Sequence, residues 1–137
     1  MKNLRIIIAG GRDFADYGAL KMETLAAIKE INMKINGTDK ISQDRITIIS
    51  GCARGADSLG IKFAEDFNLP LEKFPPEWDK FGNKAGYLRN QEMAKFATSD
   101  ENSAGVLIAF WDGKSKGTNH MINIAKKAKL EVMVIDY

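Results

Sequence analysis

One cysteine, one histidine and three prolines in 137 residues remove several kinds of protein at once. A lone Cys52 excludes an internal disulfide and points to a reducing, cytoplasmic setting. With His120 the sole histidine, a structural zinc site has too few Cys and His ligands. Long hydrophobic runs are lacking: residues 6–9 and 106–111 are far too short to span a bilayer. The opening Met-Lys-Asn passes straight into a strand-like run, without the apolar core of a secretion signal. An excess of one charge is lacking as well. The 20 Lys+Arg against 18 Asp+Glu leave a net charge of +2, too little to argue for nucleic acid. No internal repeat and no low-complexity segment is present.

What is there is ordinary globular composition, with 45% apolar and 28% charged residues, at a length suited to one domain over residues 1–137. A unit recurs along it: a β-branched run, a glycine-containing loop, then apolar residues at helical spacing. Residues 4–9 (LRIIIA) read as a strand buried on both faces, and residues 17–32 follow as a helix. Residues 36–44 are polar and glycine-marked, hence a loop. Residues 45–50 give a second strand, residues 56–67 a helix stopped by Asn68-Leu69-Pro70, and residues 71–74 a short third strand. Pro75 and Pro76 open an irregular stretch. A helix over residues 84–96, a strand over 104–110, a helix ending near 129 and a strand over 130–135 complete the chain. Strands alternating with helices imply right-handed crossovers and helices on both faces of a parallel sheet. The fold class is therefore α/β: one Rossmann-like, three-layer domain whose five-stranded parallel sheet runs in the order 3-2-1-4-5.

In such a sheet, ligands bind beyond the carboxyl ends of the strands, where strand order reverses. Three glycine-containing loops follow strands one, two and four and meet that edge. Helix N-termini there supply free N–H groups and partial positive charge, and Arg12, Arg54, Lys114 and Lys116 add cations. An anionic, nucleotide-like small molecule fits this set. No G-x-G-x-x-G follows strand one and no P-loop signature occurs, which disfavours a dinucleotide dehydrogenase or a P-loop NTPase.

The segments IAGGRDF (8–14), ISGCARGAD (49–57), GNKAGYLRNQEM (82–93) and AFWDGKSKGTNHM (109–121) resemble the SLOG superfamily. These are Rossmann-like domains related to the DNA-processing protein DprA/Smf and to the LOG proteins. The likeness is to the small stand-alone YspA/YpsA-related group of bacteria and phages. The resemblance implies binding of nucleotides or nucleotide-derived ligands. By it, Gly10, Gly11, Arg12 and Asp13 match the opening turn, and Ser50, Gly51, Arg54, Gly55 and Asp57 a phosphate-binding turn. Arg89 and Asn90 match the family's Arg-Asn pair, and Gly113, Ser115, Gly117 and Thr118 a turn that cradles phosphate. Two departures stand out. Cys52 occupies the place of a second glycine, so the loop there is either less extreme in backbone or a strained cysteine. LOG phosphoribohydrolases carry a glutamate three residues after the threonine; here it is Met121, which has no acid or base function.

Each remaining candidate has a structural reading beside the functional one. Asp13, Asp57 and Asp112 either complement helix ends and arginines or touch ribose or metal. His120 is either a solvated helix-start residue or a catalytic group. Trp78, Phe81, Tyr87 and Trp111 either pack or stack on a base. The leading reading is a sensor or binding core for a phosphorylated small molecule. A LOG-like nucleotide hydrolase is the alternative, and DprA-like single-stranded DNA binding is disfavoured by the near-neutral chain. No cofactor beyond the nucleotide-type ligand and no protein metal site is expected, and the need for a divalent ion is left open. An isologous dimer is compatible with the fold, though no sequence feature demands it.

Overall fold

The computed structural model describes residues Met1–Tyr137. Five strands, β1 (Asn3–Gly10), β2 (Ile46–Ser50), β3 (Leu71–Lys73), β4 (Ser103–Trp111) and β5 (Glu131–Asp136), form one sheet ordered β3-β2-β1-β4-β5. Every pairing is parallel, with Ile6 level with Ile48 on one side and with Val106 on the other. The helices are α1 (Tyr17–Asn36), α2 (Ala56–Asp66), the single turn α3 (Trp78–Phe81), α4 (Ala85–Ala97) and α5 (Lys116–Lys127).

Alternation along β1 sorts its side chains into two cores. Leu4, Ile6 and Ile8 pack with Leu20, Ala27 and Ile31 of α1 and with Phe63 and Ala64 of α2. Ile7 and Ala9 face the other way, onto Met93 and Ala97 of α4 and Met121, Ile122 and Ala125 of α5. The central strands β1 and β4 thus read as continuous apolar runs because both their faces are covered. No helix is long and apolar enough to cross a membrane.

Two boundaries differ from the sequence reading. Helix α1 runs on to Asn36, beyond the expected end near residue 32, and stops at Gly37, whose φ is +72 and whose N–H bonds the Met33 carbonyl. Polar residues hold this extra turn: the Asn36 amide donates to Asn32 Oδ1 at 2.7 Å, and Asn32 donates to the Thr38 carbonyl at 2.7 Å. The stretch after Pro76 is not wholly irregular, since α3 and a 3-10 turn (Gly82–Lys84) lead into α4.

One buried group in α1 is left without a partner. The Thr24 hydroxyl is wholly buried and makes no hydrogen bond. A desolvated, unpaired hydroxyl is a net loss that an isosteric methyl avoids. Thr24→Val is expected to raise the free energy of unfolding by about 1 kcal/mol, read from urea unfolding midpoints.

Candidate functional site

The chain leaves β1 for β2 and β3 on one side and returns to β4 on the other, so strand order reverses between β1 and β4. A cleft of about 260 Å³ opens at their carboxyl ends. Its floor is apolar, with Ala9, Met93 and Met121, and its polar wall carries Arg12, Asp57, Arg89, Asn90, Ser115 and Thr118. A second, open depression of about 430 Å³ is lined by Gly11, Arg12, Asp13, Arg54, Asp112, Ser115 and Gly117. The two share Arg12, Ser115 and Gly117.

The predicted residues therefore fall into three groups. Gly10, Arg12, Asp57, Arg89, Asn90, Ser115, Gly117 and Thr118 line the cleft. Gly11, Asp13 and Arg54 line the neighbouring depression. Ser50, Gly51, Gly55 and Gly113 line neither and shape the loops instead. Ser50 is fully buried; its hydroxyl donates to the Asp57 carbonyl at 2.9 Å and accepts from the Cys52 N–H at 3.2 Å. Cys52 has φ of +65, so the loop takes the strained alternative. Gly51 has no room for a side chain: a methyl there would clash, 2.5 Å from Arg89 Nη1 and 2.9 Å from Asp57 Oδ2.

Arg89 and Asn90 brace the site. Arg89 Nη1 donates to the Gly51 carbonyl and its Nε to Asn90 Oδ1 at 3.0 Å, tying α4 to the loop after β2. The Asn90 amide donates to the Gly117 carbonyl at 3.4 Å and to His120 Nδ1 at 3.1 Å, tying α4 to the start of α5. His120 is half-buried, its ring tilted against that of Tyr87 with centroids 4.3 Å apart, rather than a solvated helix-start residue. An acceptor Nδ1 fixes the neutral tautomer, and partial burial lowers its pKa from the ordinary value.

Asp57 is the one carboxylate lining the cleft. Burial pushes its pKa up to about 6, against the opposing pull of Arg89, the Ala53 and Gly10 N–H groups and Arg12. It stands in the first turn of α2, whose leading N–H group, on Ala56, already bonds the Gly11 carbonyl at 3.2 Å. At the α5 terminus the Ser115 hydroxyl accepts from the Thr118 N–H, and nothing lies within 4 Å of the place a Cβ on Gly117 would take. Asp112 acts in the turn before it, accepting from the N–H groups of Lys114 at 2.8 Å and Ser115 at 2.9 Å. Asp13 accepts from the Tyr137 hydroxyl at the rim of the first loop. Arg12, Arg54, Arg89, Lys114 and Lys116 take part in none of the chain's ion pairs, which lie elsewhere.

The family model described as YspA, cpYpsA-related SLOG family matches residues 4–81, which run from β1 through α3. The chain belongs to this SLOG family. It is similar to the Gene 61 protein of Mycobacterium phage D29, with 37% identity over 93 residues, 64% of this chain and 70% of that protein. No solved structure gives a significant match. The matched span ends before the Arg89-Asn90 brace and the α5 turn, so ten of the sixteen residues lining the cleft lie outside it. SLOG membership points to a nucleotide-related binding or processing role. Sequence reading named neither the floor residues Ala9 and Met93 nor the lining residues Ala53, Asn83 and Gly86 as site residues. Asn83, Gly86 and Met93 all belong to the segment GNKAGYLRNQEM, which held the available signal.

Proposed function

We propose that this chain binds a nucleotide or nucleotide-derived phosphorylated small molecule in the cleft between the ends of β1 and β4. The supporting observation is the convergence of Arg12 and Arg89, neither of them ion-paired, with the first turn of α5 on one concave site. Guanidinium forks and helix-start N–H groups are the donors that a phosphate takes bidentately. The apolar floor of Ala9, Met93 and Met121 suits the uncharged part of such a ligand. Arg12 is expected to carry more of the recognition than Arg89, because Arg89 already serves Gly51 and Asn90. A thermal-shift and calorimetric series with adenosine 5′-monophosphate, ribose 5-phosphate and unphosphorylated adenosine tests this. The phosphorylated probes stabilise the protein and adenosine does not, and Arg12→Ala weakens them about ten-fold, the scale of a charge-assisted hydrogen bond. Absence of any shift with every phosphorylated probe would overturn the reading.

A second reading, hydrolysis of a nucleotide N-glycosidic bond, is favoured by one observation. Met121 closes off the position of the LOG glutamate, yet Asp57 brings a carboxyl into the same cleft. Release of free base from a nucleotide by the wild type, and none by Asp57→Asn, would establish it over simple binding.

A further inference from the structure

The cleft has an exposed aromatic on its rim that no packing role accounts for. Trp78 lines it and is 48% exposed, the largest apolar side chain the protein leaves so open. The other tryptophan is committed: Trp111 packs against the α4–α5 core and donates its Nε1–H to the Ser115 carbonyl at 3.0 Å. Trp78 stands on α3, a single helical turn with no buried residue. Pro75 and Pro76 precede that turn, and Gly82, with φ of +57 and nothing near its missing side chain, follows it. Behind α3 lies a further cavity of about 200 Å³ against Phe74, Phe81 and Leu88, so the turn has space on both sides. The indole edge comes within 3.6 Å, and Arg89 Nη2 within 3.8 Å, of one point: the place a Cβ on Gly86 would occupy. An aromatic side chain and a cation therefore border the same spot of the cleft.

We propose that Trp78 stacks on a planar aromatic ring of the ligand, α3 shifting to seat it, so that the site takes nucleotides in preference to sugar phosphates. This rests on the phosphorylated-ligand reading above and adds the base as the discriminating group. Base–aromatic stacking tolerates any base, since each presents a π-face, so a broad nucleotide preference follows. In a Trp111→Phe background Trp78 is the only tryptophan and reports directly by its fluorescence. Nucleoside monophosphates are expected to quench that emission and to bind at least about ten-fold tighter than ribose 5-phosphate, the scale of one stacked base. Trp78→Ala is expected to erase that preference while leaving ribose 5-phosphate affinity unchanged, and Trp78→Phe to retain part of it. Calorimetry on otherwise wild-type protein, with and without Trp78→Ala, gives the same comparison should Trp111→Phe fold poorly. Equal affinity for nucleotides and ribose 5-phosphate in the wild type, or a preference that survives Trp78→Ala, overturns the stacking role alone. Failure of both probe classes to bind overturns the phosphorylated-ligand reading together with it.

Discussion

Gly55→Ala is expected to destabilise the protein by about 3 kcal/mol or more and to abolish the cleft along with that stability. Two separate penalties add at this position. The residue has φ of +83 and ψ of −134, a combination open to glycine and strained by about 1–3 kcal/mol for any L side chain. The loops also touch there. A methyl group on Gly55 would overlap the Gly11 carbonyl oxygen and stand 2.6 Å from the Arg12 carbonyl carbon and 2.7 Å from its Cα. These are backbone atoms, so no side-chain rotation relieves the clash, and the first two loops must part. Parting them breaks the Ala56 N–H bond to Gly11 and moves Arg12 away from Asp57 and Arg89. Urea unfolding reads the stability loss, and the same adenosine 5′-monophosphate titration reads the loss of binding. A Gly55→Ala variant as stable as the wild type would refute the close approach of the two loops.

That contact illustrates which parts of the molecule sequence reading reaches. The five strands and their order were legible because both faces of β1 and β4 are buried, which leaves unbroken runs such as IIIA and VLIAF. Three glycine loops on one edge followed from parallel topology alone. The end of α1 was less legible, since Met33, Lys34 and Asn36 carry no apolar periodicity and only Gly37 marks the stop. Contacts between loops distant in sequence were not legible at all. Arg89 reads as a ligand-binding residue of the family's Arg-Asn pair, and nothing in the sequence tells that it also braces the Gly51 carbonyl 38 residues away. Asp13 reads as a ribose or helix-cap candidate, yet it meets the Tyr137 hydroxyl from the far end of the chain. Gly11 sits beneath that same hydroxyl, where a side chain would overlap it. Residue type announces such a site's chemistry, and only the three-dimensional placement of loops separates its donors from its scaffolding.

Asp57→Asn is expected to remove a pH dependence of stability that the wild type shows between about pH 4 and pH 6.5. Burial holds the Asp57 carboxyl at about 6 in the folded protein, above the unfolded value of 3.8. The folded state therefore binds the extra proton in that interval. Stability from this group is full below about pH 4 and is lost as pH rises through about 6, by roughly 3 kcal/mol at one pKa unit per 1.4 kcal/mol. Asp66, Asp100 and Asp112 work in the opposite sense, since hydrogen bonds hold their carboxyls below the ordinary range and add stability as pH rises. The diagnostic quantity is thus the difference between variant and wild type, in which those three cancel. Urea midpoints at pH 4, 5, 6 and 7 should separate progressively in favour of Asp57→Asn, and parallel curves would show that Arg12 and Arg89 fully compensate the buried charge. The charged groups facing Asp57 are these two arginines, from the loop after β1 and from α4, so a separation of the curves reports the carboxyl beside them.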